Sequence, residues 1–165
     1  MTNVKTTLEA GIDALQPRGG TYINVGAVWG WRMLSPRWRG YWGGKMDENS
    51  LPLNYNSPLM SKAVILMTDG FNSPNAGGYS AYASSTAADT QSELDAKTLQ
   101  VCTTMKAQGI TIYTILLQET DPGVKALLRT CATSPDMFFD SPTNEKLKEA
   151  FHTISDSLAN LRISK

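Results

Sequence analysis

The segment "KAVILMTDGFNS", Lys62 to Ser73, is an apolar run that stops on Thr68, Asp69 and Gly70 and gives way to small polar residues. A carboxylate where a buried strand ends can meet a divalent cation, act as a base, or cap the following turn through its own backbone. The turn-forming role is the commonest of these, and one Asp-Gly is not a site. No nucleophile and base are paired elsewhere in the chain. His152, the only histidine, falls on the polar flank of a predicted terminal helix, where a surface role is expected. "GGTYINVG" lacks the preceding strand and the terminal lysine of a phosphate loop. Asp47 and Glu48 fall in an aperiodic stretch, as solvated charges do. Trp29, Trp31, Trp38 and Trp42 cluster within fourteen positions, a density that suggests core and loop packing. Cys102 and Cys131 are either two buried thiols or one disulfide between neighbouring helices.

The elements that must position Asp69 follow from periodicity. Val4, Leu8, Ile12 and Leu15 are spaced as on an amphipathic helix over 2–15, capped by Thr2 or Asn3 and stopped before Pro17. A second helix is predicted from Ile23 to about Leu34, ended by Ser35-Pro36. Residues 37–59 and 71–89 show no sustained period and read as irregular surface segments, the latter mobile or loosely packed. Ala63 to Met67 has no polar alternation and predicts a strand covered on both faces. A helix over Thr90 to Gln108, stopped at Gly109, leads to the strand Ile110 to Leu117; a short helix over Asp121 to Thr130 leads to the strand Met137 to Asp140. A last helix from about Asn144 sets Leu147, Phe151, Ile154, Leu158 and Leu161 on one stripe. Alternating strand and helix predicts an α/β fold, a mostly parallel sheet with flanking helices in three layers. Ligands of such sheets meet the carboxyl ends of the strands, where Asp69 falls.

The 165 residues make one ordinary domain, and 15 basic against 15 acidic residues leave no field drawing it to nucleic acid or an anionic membrane. No apolar run reaches the length of a membrane span, and "MTNVKTTLEA" does not read as a signal peptide. The chain therefore reads as soluble.

"VILMTDGFNS" resembles the fourth-strand motif of the von Willebrand factor type A fold, and "GGTYINVGAVWGWRMLSP" resembles its threonine-bearing loop and helix. "AVWGWRMLSP", "CTTMKAQGITIYTI", "LLRTCATSPDMFFD" and the ending "LKEAFHTISDSLANLRISK" are similar to the TadG-like branch, proteins of Tad (Flp) pilus assembly and secretion. The resemblance implies a non-enzymatic protein-binding or assembly module at the cell envelope, partnered by pilus or envelope components. It also implies a metal-ion-dependent adhesion site for magnesium or calcium. Thr21 matches the threonine of its second loop and Asp69 the aspartate of its third. The first loop, Asp-x-Ser-x-Ser, is missing from these residues. The chain then corresponds to the C-terminal part of such a domain, with an incomplete site and little or no bound cation. The strand that would lie beside Ala63 to Met67 is missing too, so that edge is expected to pair with a second copy unless 37–59 folds over it. The resemblance favours the Cys102–Cys131 disulfide. The alternatives are a doubly wound enzyme using Asp69, and a scaffold with no ligand.

Overall fold

In a computed structural model of the chain, residues 4–16, 20–58, 60–73 and 90–163 are described, with side chains as far as residue 159. The sheet grows from the two most apolar stretches. β1 (Lys62–Thr68) pairs in parallel with β2 (Ile110–Leu117), and β2 with β3 (Phe138–Ser141). The strand order is β1-β2-β3, so β2 is central and nearly every residue in it is buried.

Alternation along β2 divides the interior into two layers. Ile110, Ile112 and Leu116 join Leu66 in the larger core, under α2 (Ile23–Leu34), α4 (Gln91–Ala107) and α5 (Pro122–Cys131). Tyr113 and Ile115 face α6 (Asn144–Ile163) through Ala150 and Ile154. The two crossover helices, α4 and α5, share a face, as strands added in one direction with one crossover hand require. This is the three-layer α/β fold expected from the pattern.

Local chemistry sets the helix ends. Thr90 caps α4 in a capping box with Glu93. Gly109, at φ +74°, ends the helical path as expected; a Cβ there would also collide with Asn56 Oδ1. Asp121 accepts from Val124 N at 3.0 Å to start α5. Cys102 on α4 and Cys131 on α5 form the disulfide, with Cα atoms 5.2 Å apart. Closing that loop stabilises the fold by about 3.5 kcal/mol on chain-entropy grounds.

Four expectations are corrected. β1 is not covered on both faces: α6 packs on β2 and β3 and reaches β1 only at Ala63, leaving Ile65 and Met67 40% and 48% exposed. On α6 the buried line runs through Ala150 and Ile154, and Phe151 lies off it and is exposed. α1 (Lys5–Asp13) forms where the spacing places it, yet Val4, Leu8, Ile12 and Leu15 all stay exposed because no other element among the described residues covers them. Its expected caps, Thr2 and Asn3, lie outside the described residues, as do Leu161's side chain and 74–89 of the segment 71–89. Finally, the tryptophans divide. Trp31 packs on the larger core and donates to the Tyr55 hydroxyl at 2.8 Å, whereas Trp29, Trp38 and Trp42 form a separate group with Tyr41.

Segment 37–59 is more ordered than its sequence suggests. Beyond a 3-10 turn at Pro36–Trp38 and a short helix, α3 (Gly44–Glu48), two cations tie it down. Arg39 donates twice to Pro52 O, at 3.0 and 2.6 Å, and once to Asn54 Oδ1. Lys62, buried at the start of β1, donates to Leu34 O at 2.6 Å and Leu53 O at 2.5 Å and lies over the Tyr55 ring. The segment thus packs at the start of β1, where Met33, Met46 and Met60 line a groove of about 330 Å³.

Burial, and then the charge of Arg39, hold the Lys62 pKa below its ordinary value of 10.5. The unfolded chain therefore binds more protons between the lowered folded value and 10.5, and stability rises with pH across that window. Lys62→Met should remove this rise and, by leaving two carbonyls without a donor, lower the unfolding free energy by roughly 2 kcal/mol. Urea unfolding from neutral to alkaline pH measures both; an unchanged pH slope would show that Lys62 is not its source.

Candidate functional site

The carboxyl end of β1 is organised by a residue that the sequence does not mark. Asn72 is wholly buried. Its Oδ1 accepts from Ile23 N, the first residue of α2, at 2.8 Å, and its Nδ2 donates to Asp95 Oδ1 at 2.7 Å and Thr98 Oγ1 at 3.2 Å, both on α4. One amide thus fastens the β1 loop to two helices and satisfies a donor that the start of α2 leaves open. Thr98 in turn donates to Leu94 O at 2.8 Å. The start of segment 71–89 is therefore held firmly, against the loose packing expected there. A lone Asn in "GFNS" reads as an ordinary turn residue, so its interior role has no signature in sequence.

The same node brings the threonine loop to the aspartate loop. Thr21 and Ser73 pair through their backbones, N to O at 3.0 Å and 2.9 Å in the two directions. Thr21 is half-buried, four positions from Asp69 along this pairing. The turn after β1 is closed by Thr68, not by Asp69: Thr68 Oγ1 accepts from Gly70 N at 3.3 Å and donates to Gly70 O at 2.9 Å. Asp69 is exposed and makes no hydrogen bond or ion pair among the described residues. The turn-forming role weighed for it is carried by its neighbour.

Other acidic groups at this end of the sheet serve the fold. Glu119 accepts from Thr120 N and Asp121 N, Asp121 caps α5, Asp140 pairs with Lys125 at 2.7 Å, and Asp95 holds Asn72. Asp69 alone of these carboxylates has no such partner among the described residues. A divalent cation, however, takes about six oxygen ligands with several formal charges among them. Thr21 and Asp69 supply one hydroxyl and one carboxylate, and they do not bond each other among the described residues. No group of three or more His, Cys, Asp or Glu residues able to hold a metal occurs among the described residues. This donor set does not fit a resident magnesium or calcium ion. His152 is exposed on α6, and Asp47 and Glu48 are exposed on α3, Glu48 paired with Lys45.

The node carries its own test. Asn72→Ala strands the Ile23 N–H and the Asp95 carboxylate and should cost roughly 3 kcal/mol in urea unfolding. Asn72→Asp keeps the acceptor but sets a second carboxylate against Asp95. The pair's pKa rises in the folded state, so that variant should be most stable at acid pH and weaken as pH rises through the raised value. A variant equally stable at pH 4 and 7 would argue against the contact.

No protein-family model and no curated protein matches the sequence. Among solved structures, the chain is similar to the pilus adhesin SpaC from Lactobacillus rhamnosus GG, with a TM-score of 0.60 and 17% identity over 96% of this chain and 22% of the adhesin. It is also similar to proximal thread matrix protein 1 of the mussel byssus, with a TM-score of 0.48 and 22% identity over 91% of this chain and 30% of that one. The chain spans well under two thirds of either protein. At such identities the likeness is one of fold: the α/β arrangement that carries Asp69 on the end of β1 also occurs in a pilus adhesin.

Proposed function

We propose that this domain is a non-enzymatic protein-binding and assembly module, akin to the von Willebrand factor type A domain of TadG-like pilus-assembly or secretion proteins, with a degraded metal-ion-dependent adhesion site. The observation that carries the reading is the exposed, unengaged Asp69 carboxylate on the strand end, joined to the threonine loop by the Thr21–Ser73 pairing. The pilus-adhesin likeness supports a pilus-related role. The Cys102–Cys131 disulfide suits an oxidising compartment such as the cell envelope, and no helix among the described residues is long and apolar enough to cross a membrane. Thr21 and Asp69 are the remaining members of the metal site, and recognition of a partner then rests on protein surface more than on magnesium or calcium.

That surface includes β1. Among the described residues no strand pairs with its outer edge, and Ile65 and Met67 are bare beside it. Such an edge accepts a further strand from a pilus component or from a second copy of this chain.

Two measurements test the proposal. Titration with magnesium in a calorimeter should give no saturable heat in this chain and clear heat in a version supplied with Asp-x-Ser-x-Ser; tight binding abolished by Asp69→Ala would overturn the degraded-site reading. Sedimentation equilibrium should show dimers that Ile65→Lys with Met67→Lys dissociate. A monodisperse monomer would reject self-pairing at this edge.

A further inference from the structure

Three of the chain's four tryptophans build a surface feature in place of core. Trp38 is at its centre, with ring centroids 5.9 Å from Trp29 edge-on, 5.8 Å from Tyr41, and 5.6 Å from Trp42 in a stack. Arg32, one helical turn beyond Trp29 on α2, lays its guanidinium 4.6 Å from the Trp29 ring centroid and 5.2 Å from that of Trp38. As a stabilising device the cluster is poor. Trp29 is 46% and Tyr41 76% exposed, and the Trp42 indole N–H is buried without an acceptor among the described residues. What it does well is hold flat rings open to solvent, fixed by one another.

The charges beside it are one-sided. From Trp29 to Lys45 there are four basic residues and no acidic one, in a chain whose net charge is zero. Lys45 pairs with Glu48, and Arg39 is engaged by Pro52 O and Asn54. Arg32 and Arg37 offer their guanidinium donors to no hydrogen bond or ion pair among the described residues. Stacking keeps the Arg32 fork in one orientation, so little side-chain entropy is lost when it takes a carboxylate bidentately.

We propose that this platform, Trp29, Arg32, Arg37, Trp38 and Tyr41, binds an acidic polysaccharide, a uronate-containing chain. A uronate residue uses both halves of the surface at once: the C–H face of the pyranose lies on an indole while its carboxylate meets a guanidinium fork. Two available cations are too few for competing polyanions. Backbone-driven nucleic-acid binding draws on about 6–10 phosphate contacts, and capture by an anionic bilayer on about 4–8 clustered Lys or Arg. An acidic peptide could meet the guanidinium groups but has no flat apolar face next to each carboxylate. The site is separate from Asp69, and its failure would leave the adhesion reading standing.

With three of the four tryptophans in the platform, intrinsic fluorescence reports on it directly. Titration with a polygalacturonate hexamer should change indole emission saturably. Trp29→Ala and Arg32→Met should each weaken binding by roughly tenfold or more. Arg32→Lys, which keeps the charge and loses the fork, should weaken it severalfold, and His152→Gln on α6 should leave it unchanged. Far-UV circular dichroism checks the fold of each variant, with Arg32→Lys the mildest of them. The proposal is overturned by the absence of a saturable change, by equal affinity in folded Arg32→Lys, or by an equal response to polyglutamate, oligothymidylate or phosphatidylserine vesicles.

Discussion

The buried carboxamide of Asn72 is the interaction on which the carboxyl end of β1 depends. It accepts at the start of α2 and donates to two residues of α4, so loop, helix and crossover helix share one polar contact in an otherwise apolar layer. A buried amide is costly unless its hydrogen bonds are made. The Asn72 side chain therefore tolerates little displacement, and with it the backbone of Ser73 is held where it meets Thr21. Asp69 needs no contact of its own to be positioned: Thr68 closes the turn on one side and Asn72 anchors it on the other. The Asp69 carboxylate is thus placed by its backbone neighbours while its side chain makes no hydrogen bond or ion pair among the described residues.

The remainder of the fold is secured away from that end. The Cys102–Cys131 disulfide ties the two crossover helices to each other on one face of the sheet. At the opposite end of β1, buried Lys62 and exposed Arg39 use backbone carbonyls in place of carboxylates as partners. They gather a segment that has no sustained period of its own. The gathered segment includes Trp38, Tyr41 and Trp42, so the anchoring cations also shape the aromatic surface beside α2.

Besides the aromatic surface beside α2, aliphatic rows are left exposed on α1 and on the face of β1 beyond the reach of α6. Burying an aliphatic side chain gains about 1.5–3 kcal/mol, so exposed rows of this kind favour association. Among the described residues, the unpaired edge and the bare face of β1 lie side by side.

Periodicity and punctuation alone determined the types of the main elements, though not of α3: the apolar runs of β1 and β2, Thr90 with Glu93 at the start of α4, Gly109 at its end, and Pro36 after α2 all act within a few residues of themselves. Asp69 was legible for the same reason, as a carboxylate where an apolar run stops. Tertiary structure decided which of those residues have partners. Asn72 became a core residue because Ile23 and Asp95, distant in sequence, converge on it; Thr68 took the turn and released Asp69; Ile65 and Met67 stayed bare because α6 covers only the neighbouring strands. Local pattern specifies conformation because conformational preferences are short-ranged. Burial and hydrogen-bond satisfaction depend on which distant groups arrive, and only the packed chain determines that.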